Sequence, residues 1–249
     1  MRFMDTHCHV DLSKNRNSFS KKINNNEIYT IAVTNLPKLF QKNKVILPET
    51  QYIKHALGYH PELVSQFPDQ IGKFKQLIGK TRYIGEVGID GSLKYKQSFI
   101  KQTEIFEEIL YLCNKHREKI LTIHSRKAEE EVISLISKYP YCQKILHWYS
   151  GKIDEAEKAV ELNCYFSFNH KMLSSKNGKN LLAVIPKERI LLETDFPFGY
   201  SDETNFSNEY FEKLVGKIAQ EKSCTKKEML IIVRDNQYKL LKNEISSKR

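Results

Sequence analysis

No Cys-x-x-Cys pair occurs in the chain, and its five cysteines, Cys8, Cys113, Cys142, Cys164 and Cys224, are odd in number and widely scattered. That pattern argues against a disulfide framework or a thiolate zinc site, and leaves reduced, mostly buried thiols as the expectation. No stretch approaches the roughly 20 consecutive apolar residues that a membrane span requires. The amino terminus turns polar by Asp5, too early for the apolar core of a secretory signal. These absences predict a cytoplasmic protein with no membrane association. Gly/Ser-rich and Pro-rich linkers are missing too, with 10 Gly and 7 Pro spread over 249 residues, and no internal repeat is visible. One domain over residues 1–249 is therefore expected. A chain of this length buries roughly 70–75% of its unfolded surface, so its core needs no structural metal, and any metal serves chemistry first.

What the chain does carry is basic charge: 40 Lys plus Arg against 30 Asp plus Glu leave a formal net charge of +10. Such a surface attracts polyanions, but the attraction is sequence-independent and by itself separates a nucleic-acid enzyme from a merely basic protein poorly. Short β-branched and aromatic runs alternate with segments of helical period, the pattern of repeated βα units over a parallel sheet. Strands are expected near residues 2–5, 28–33, 54–57, 83–87, 120–123, 144–147, 165–168 and 190–193. Helical spacing of Phe99, Phe106, Ile109, Leu110 and Cys113 predicts a crossover helix over 98–115, and Val132, Leu135 and Ile136 predict another over 128–137. Thr225 and Glu228 form a capping box opening a last helix, after which the polar tail 246–249 is expected to fray. The one loose stretch is 199–208. Eight such units in this length fit an α/β fold of the (β/α)8 TIM-barrel kind, whose reactive residues gather at the carboxyl ends of the strands.

Reactive residues fall there. The first strand ends in Asp5-Thr-His7-Cys-His9, and alternation along an extended chain puts His7 and His9 on one face. The fourth strand delivers Glu86, the fifth His124, the sixth His147 and the eighth Asp195. Four imidazoles and two carboxylates are the ligand set for two divalent metal ions, with one carboxylate bridging. Burying so many titratable groups together without a cation would be costly. Two close ions activate water and stabilise both the attacking and leaving oxygens of an in-line displacement, which makes phosphodiester hydrolysis the natural chemistry. Glu86 is the candidate bridge, and Asp195 the candidate metal ligand and proton acceptor. Arg126 has the fork geometry for a substrate phosphate, with pairing to Glu193 or Asp90 as the rival role. Asp90 either orients a ligand or caps a loop. Residues 171–179 fall on the active-site side, where their lysines either contact a nucleic-acid backbone or form a solvated face.

The run Asp5-Thr-His-Cys-His9, Gly58-Tyr-His-Pro61, Ile84-Gly-Glu-Val-Gly-Ile-Asp90, Ile123-His-Ser-Arg126, His147-Trp-Tyr-Ser-Gly151 and Leu192-Glu-Thr-Asp195 resembles the TatD family of metal-dependent deoxyribonucleases over residues 2 to about 241. Finer details, such as Leu146-His-Trp-Tyr-Ser-Gly151 and Thr194-Asp-Phe-Pro-Phe198, are similar to the QatD subfamily, the TatD-like component of the Qat antiphage defence system. The resemblance implies a metal-dependent hydrolase barrel with ligands at His7, His9, Glu86, His124, His147 and Asp195, acting on DNA in antiphage defence alongside other Qat proteins. It also implies Mg²⁺ as a usual ion, whereas four histidines suit Zn²⁺ or Mn²⁺ better. By motif position His60 faces the substrate phosphate, with a structural loop histidine as the alternative, and Asn236 ties the final helix to the barrel. The chain departs from the common family pattern at Trp148, Tyr149, Phe196 and Gly91. Trp148 and Tyr149 enlarge an aromatic wall able to stack a base, with Tyr149 as a candidate substrate-binding residue. Phe196 reads more simply as packing at the barrel top. Hydrolysis of another bond, such as an ester on tRNA or an amide, and a partner-gated or scaffold role in a defence complex are the alternative readings, because a fold does not fix its substrate.

Overall fold

The computed structural model describes residues 3–202 and 206–242. Arg2, where the first strand is expected to begin, lies outside them, as does the tail 246–249 with its expected fraying. Within them the chain runs through eight strands: β1 (Met4–Cys8), β2 (Tyr29–Ala32), β3 (Ile53–His55), β4 (Tyr83–Gly88), β5 (Ile120–His124), β6 (Gln143–His147), β7 (Tyr165–Phe168) and β8 (Ile190–Leu192). Helices Phe99–His116 and Glu129–Ser137 stand where the spacing predicts them. All strand pairs are parallel, in the orders β1-β2-β3 and β4-β5-β6-β7-β8. Single bridges close the two seams. Leu57 N donates to Tyr83 O at 2.9 Å beyond the end of β3, and Asp195 N donates to His7 O at 2.9 Å beyond the end of β8. The result is the predicted (β/α)8 barrel of the metal-dependent hydrolase kind.

Burial explains the strand composition. An outer cluster fills the layer between strands and helices. An inner cluster, including Met4, Ile31, Ile120, Ile145 and Leu191, fills the barrel near the starts of the strands. Each large aliphatic side chain so buried contributes about 1.5–3 kcal/mol. Leu240, from the last helix (Lys226–Lys242), joins the inner cluster and covers the amino end of the barrel. That helix is capped as expected, with Glu228 N donating to Thr225 Oγ1 at 3.2 Å and Thr225 N to Glu228 Oε2 at 2.8 Å. Asn236 Nδ2 donates to the carbonyls of Lys187 and Ile190, both at 2.8 Å, which fastens the helix to the start of β8.

Two strands break simple alternation. In β1 the register shifts between Asp5 and Cys8, so Met4 belongs to the inner cluster while Cys8 belongs to the outer one. In β4 it shifts between Ile84 and Val87, and both of these pack outward although three residues apart. An extra residue in one strand re-aims the side chains that follow it. Here the two offsets lie in the strands that deliver His7, His9 and Glu86. Among the described residues, no helix is long and apolar enough to cross a membrane.

Candidate metal centre

Glu86 stands at the middle of the carboxyl end of the barrel, 2% exposed, and its two oxygens face different imidazoles. Oε2 lies 3.3 Å from His7 Nε2 and 3.2 Å from His9 Nε2. Oε1 lies 2.8 Å from His124 Nδ1, 3.0 Å from His147 Nε2 and 3.2 Å from His60 Nε2. Asp195 Oδ1 completes the first side, 3.6 Å from His7 Nε2 and 3.7 Å from His9 Nε2. Among the described residues three groups able to hold a cation emerge: His7, His9 and Asp195; His7, Glu86 and His147; and His60, Glu86 and His124. All six sequence-predicted metal residues are therefore brought together, and His60 joins them through Glu86.

Buried neighbours fix the rings. His7 Nδ1 lies 2.7 Å from Thr122 Oγ1 on β5, which turns Nε2 to the centre. His124 Nε2 lies 2.8 Å from Asp90 Oδ2, and Ser92 N donates to the other Asp90 oxygen at 2.9 Å, so Asp90 both orients the His124 ring and caps a loop. Glu193, fully buried, sits 3.8 Å from His147 Nδ1 and accepts hydrogen bonds from the Ser167 hydroxyl and, at 2.8 Å, from Asn169 Nδ2. Asp5 accepts from Thr194 N at 2.9 Å and Thr194 Oγ1 at 2.6 Å, which holds the turn that carries Asp195. Carboxylates placed behind ligand histidines set the tautomer and ring orientation.

The electrostatics suit a cation. Burial opposes ionisation of Glu86, but the charges of His60 and His147 and the hydrogen bond from His124 outweigh it and hold the carboxyl well below its usual range. Burial, aided by the charge of His147, pushes His7 well below the ordinary imidazole value, so it presents a neutral lone pair. For His124, burial is overcome by its hydrogen bonds to Asp90 and Glu86, which lift it to about 9. Burial raises Asp195 to about 7 against the pull of His147 and His9. Asp195 Oδ1 is buried and accepts no hydrogen bond from the described residues, while His7 and His9 Nε2 converge to 3.3 Å of each other. An orphaned carboxylate oxygen beside two converging imidazole nitrogens fits a divalent ion, and the N/O donor set suits Zn²⁺ or Mn²⁺.

A cavity of about 540 Å³ opens above Glu86, lined by His9, His60, Arg126, Trp148, Asp195 and Phe198 among others. Arg126 is exposed there and pairs with neither Glu193 nor Asp90, whose bonds go to other partners. The aromatic wall differs from the sequence expectation. Trp148 lines the cavity, but Tyr149 does not: its ring is 1% exposed, edge-on to Phe166, and its hydroxyl donates to Lys152 O at 3.3 Å. The cause is the backbone at Trp148, whose φ of +38° lies in the left-handed region, a conformation costing on the order of 1–3 kcal/mol for a bulky side chain. Phe196 packs against Phe19 with ring centroids 4.8 Å apart and is structural. Phe198, given no site role in the sequence analysis, is the exposed aromatic of the cavity, edge-on to His9 at 5.4 Å. Its sequence signal is its place three residues after Asp195, at the end of the run Thr194-Asp-Phe-Pro-Phe198.

The family model described as TatD related DNase matches residues 4–242. The chain is 25% identical over 256 residues to the uncharacterized metal-dependent hydrolase YabD of Bacillus subtilis (strain 168), covering 96% of this chain and 98% of that protein. It is 28% identical over 150 residues to Deoxyribonuclease Tat-D of Schizosaccharomyces pombe, covering 59% of this chain and 47% of that one. Among solved structures, YJJV, a TatD homolog from Escherichia coli K12, shares the fold with a TM-score of 0.84 at 20% identity, covering 96% of this chain and 97% of that one.

Proposed function

Because the chain belongs to the TatD related DNase family of metal-dependent hydrolases, we propose that it is a phosphodiesterase that cleaves DNA with the help of two divalent ions, which the residues around Glu86 would hold. The observation that carries this reading is the division of labour at Glu86, with Oε2 facing His7 and His9 and Oε1 facing His60, His124 and His147. Ions held by His7, His9, Glu86, His124, His147 and Asp195 would lower the pKa of bound water and offset the charge that builds on the phosphate oxygens. The chain's own groups do the rest. Asp195 Oδ1, buried and free of hydrogen bonds, accepts a proton from the attacking water. A bond forms between the water oxygen and phosphorus, the bond from phosphorus to a sugar oxygen breaks, and a proton passes to that oxygen. Arg126, exposed at the cavity edge with no carboxylate partner among the described residues, would hold a phosphate by its fork of donors.

The test is incubation of the purified chain with end-labelled single- and double-stranded DNA, and with RNA, separately in Mg²⁺, Mn²⁺ and Zn²⁺, beside Asp195→Asn. Metal-dependent DNA cleavage that the variant loses is the expected result. Cleavage of RNA alone would reassign the substrate, and no cleavage with any ion would turn the reading towards another hydrolysis. The motifs around Trp148 and Phe198 that resemble the QatD subfamily support a role in antiphage defence with other Qat proteins. Phage plating on cells carrying those partners tests it, with Asp195→Asn expected to abolish protection and unchanged protection refuting it.

A further inference from the structure

Two aromatic side chains at the mouth of the metal-centre cavity lack the cover that aromatics usually receive. Phe198 is 55% exposed, although it stands beside His9 at a polar centre. Trp148 is half-buried and reaches the cavity through a left-handed backbone that places Tyr149 in the core instead. The loop bearing Phe198 is tightly closed. Gly199 N donates to Asp195 O at 2.7 Å, and a Cβ at Gly199 would lie 2.2 Å from Thr194 O, so no larger residue fits. One cation spans the two walls: Lys171 Nζ donates to Phe198 O at 2.6 Å and sits 5.7 Å from the centre of the Trp148 ring, within cation–π range. The cavity's volume of about 540 Å³ is of a size to take one nucleotide. Exposed aromatic faces held rigid over a charged centre serve as stacking platforms, since every base offers a π-face.

We propose that Trp148 and Phe198 are the walls of a slot that stacks one unpaired nucleobase next to the scissile phosphodiester, with Lys171 as the positioning residue that ties the walls together. The proposal rests on the nuclease reading for the bond that is cut, but stacking itself can be measured without cleavage. It makes the enzyme indifferent to base identity, dependent on a free base at the reacting end, and weak on ends whose base is locked in a pair.

The experiment uses the metal-loaded full chain and its Trp148→Ala, Phe198→Ala and Phe198→Tyr variants, each checked for an unchanged melting profile. Phe198 is exposed, so its variants keep the fold even where Trp148→Ala does not. Three single-stranded oligonucleotides serve as probes: one ordinary, one with an abasic terminal nucleotide, and one with a terminal 2-aminopurine behind a phosphorothioate linkage that slows hydrolysis, prepared for each strand end. The slot predicts that KM for the ordinary strand rises about tenfold in both alanine variants with kcat little changed. It predicts that Phe198→Tyr behaves as the native chain, and that the abasic strand is equally poor for all. Native protein should quench 2-aminopurine at one strand end, and the alanine variants should not. Unchanged KM and quenching in the alanine variants would overturn the slot, as would equal losses on ordinary and abasic strands, which would mark the walls as structural. Quenching without hydrolysis would support the slot while refuting the nuclease reading, and hydrolysis without quenching would refute the slot alone.

Discussion

Replacing Asp90 by Asn isolates what a carboxylate behind His124, a proposed metal ligand, contributes. Asp90 is fully buried, with Oδ2 2.8 Å from His124 Nε2 and Oδ1 accepting from Ser92 N at 2.9 Å. Burial resists its ionisation, but the hydrogen bonds from His124 and Ser92 prevail and hold the carboxyl at about 2, so it is charged at every working pH. Asparagine preserves the volume and the loop cap but removes the charge that keeps the proton on His124 Nε2 and leaves Nδ1 aimed at Glu86. Outer partners of this kind are worth about 10- to 100-fold in metal affinity, equivalent to about 1.4–2.8 kcal/mol. Asp90→Asn should therefore need about 10- to 100-fold more Mn²⁺ for half-maximal activity and recover most of its kcat at saturation. Activity against free Mn²⁺, with calorimetric titration of the ion in parallel, measures both. An affinity within about twofold of the native chain would refute the positioning role of Asp90.

Three further outcomes follow from the frame. Asn236→Ala removes both side-chain hydrogen bonds that fasten the last helix to the carbonyls of Lys187 and Ile190, so stability should fall by about 1–3 kcal/mol and Tm by roughly 2–12 °C; an unchanged thermal melt would show that water replaces the amide. Gly58→Ala would set a Cβ 1.7 Å from Thr34 O, against backbone that cannot yield, so about 3 kcal/mol or more should be lost, read by denaturant unfolding, and native stability would contradict the seam geometry. His55 is buried with Nε2 2.7 Å from Leu47 O, and burial lowers its pKa below the unfolded value. The unfolded chain thus binds more protons there, and His55 removes stability as pH falls through about 6.5. His55→Gln should flatten the stability loss between pH 7 and 5.5 by up to about 1.4 kcal/mol per pH unit, and parallel curves would exclude that role.

Much of this was legible in the sequence, because a strand buried on both faces reads as an apolar run and the residue that ends it stands out. Glu86, His124, His147 and Asp195 are visible for that reason. His7 and His9 are visible through their spacing, although a register shift in β1, which no side-chain pattern signals, is what turns them inward. His60 sits on a connection beyond β3, so its 3.2 Å approach to Glu86 depends on tertiary folding and left its role open between substrate and scaffold. Tyr149 looked as good a wall residue as Trp148, because one left-handed φ reversed the two and composition carries no mark of it. Glu193 and Asp5 act through buried partners far away in sequence, Asp5 lying 189 residues from Thr194, which local reading does not pair.

The proposed function requires that Glu86 and the histidines around it hold two ions. Elemental analysis of the Mn²⁺- or Zn²⁺-loaded chain after exhaustive dialysis, beside Glu86→Ala, tests it most directly. The account predicts about two ions per native chain and fewer than one in the variant. One ion or none in the native protein, or the same content in both, would contradict it.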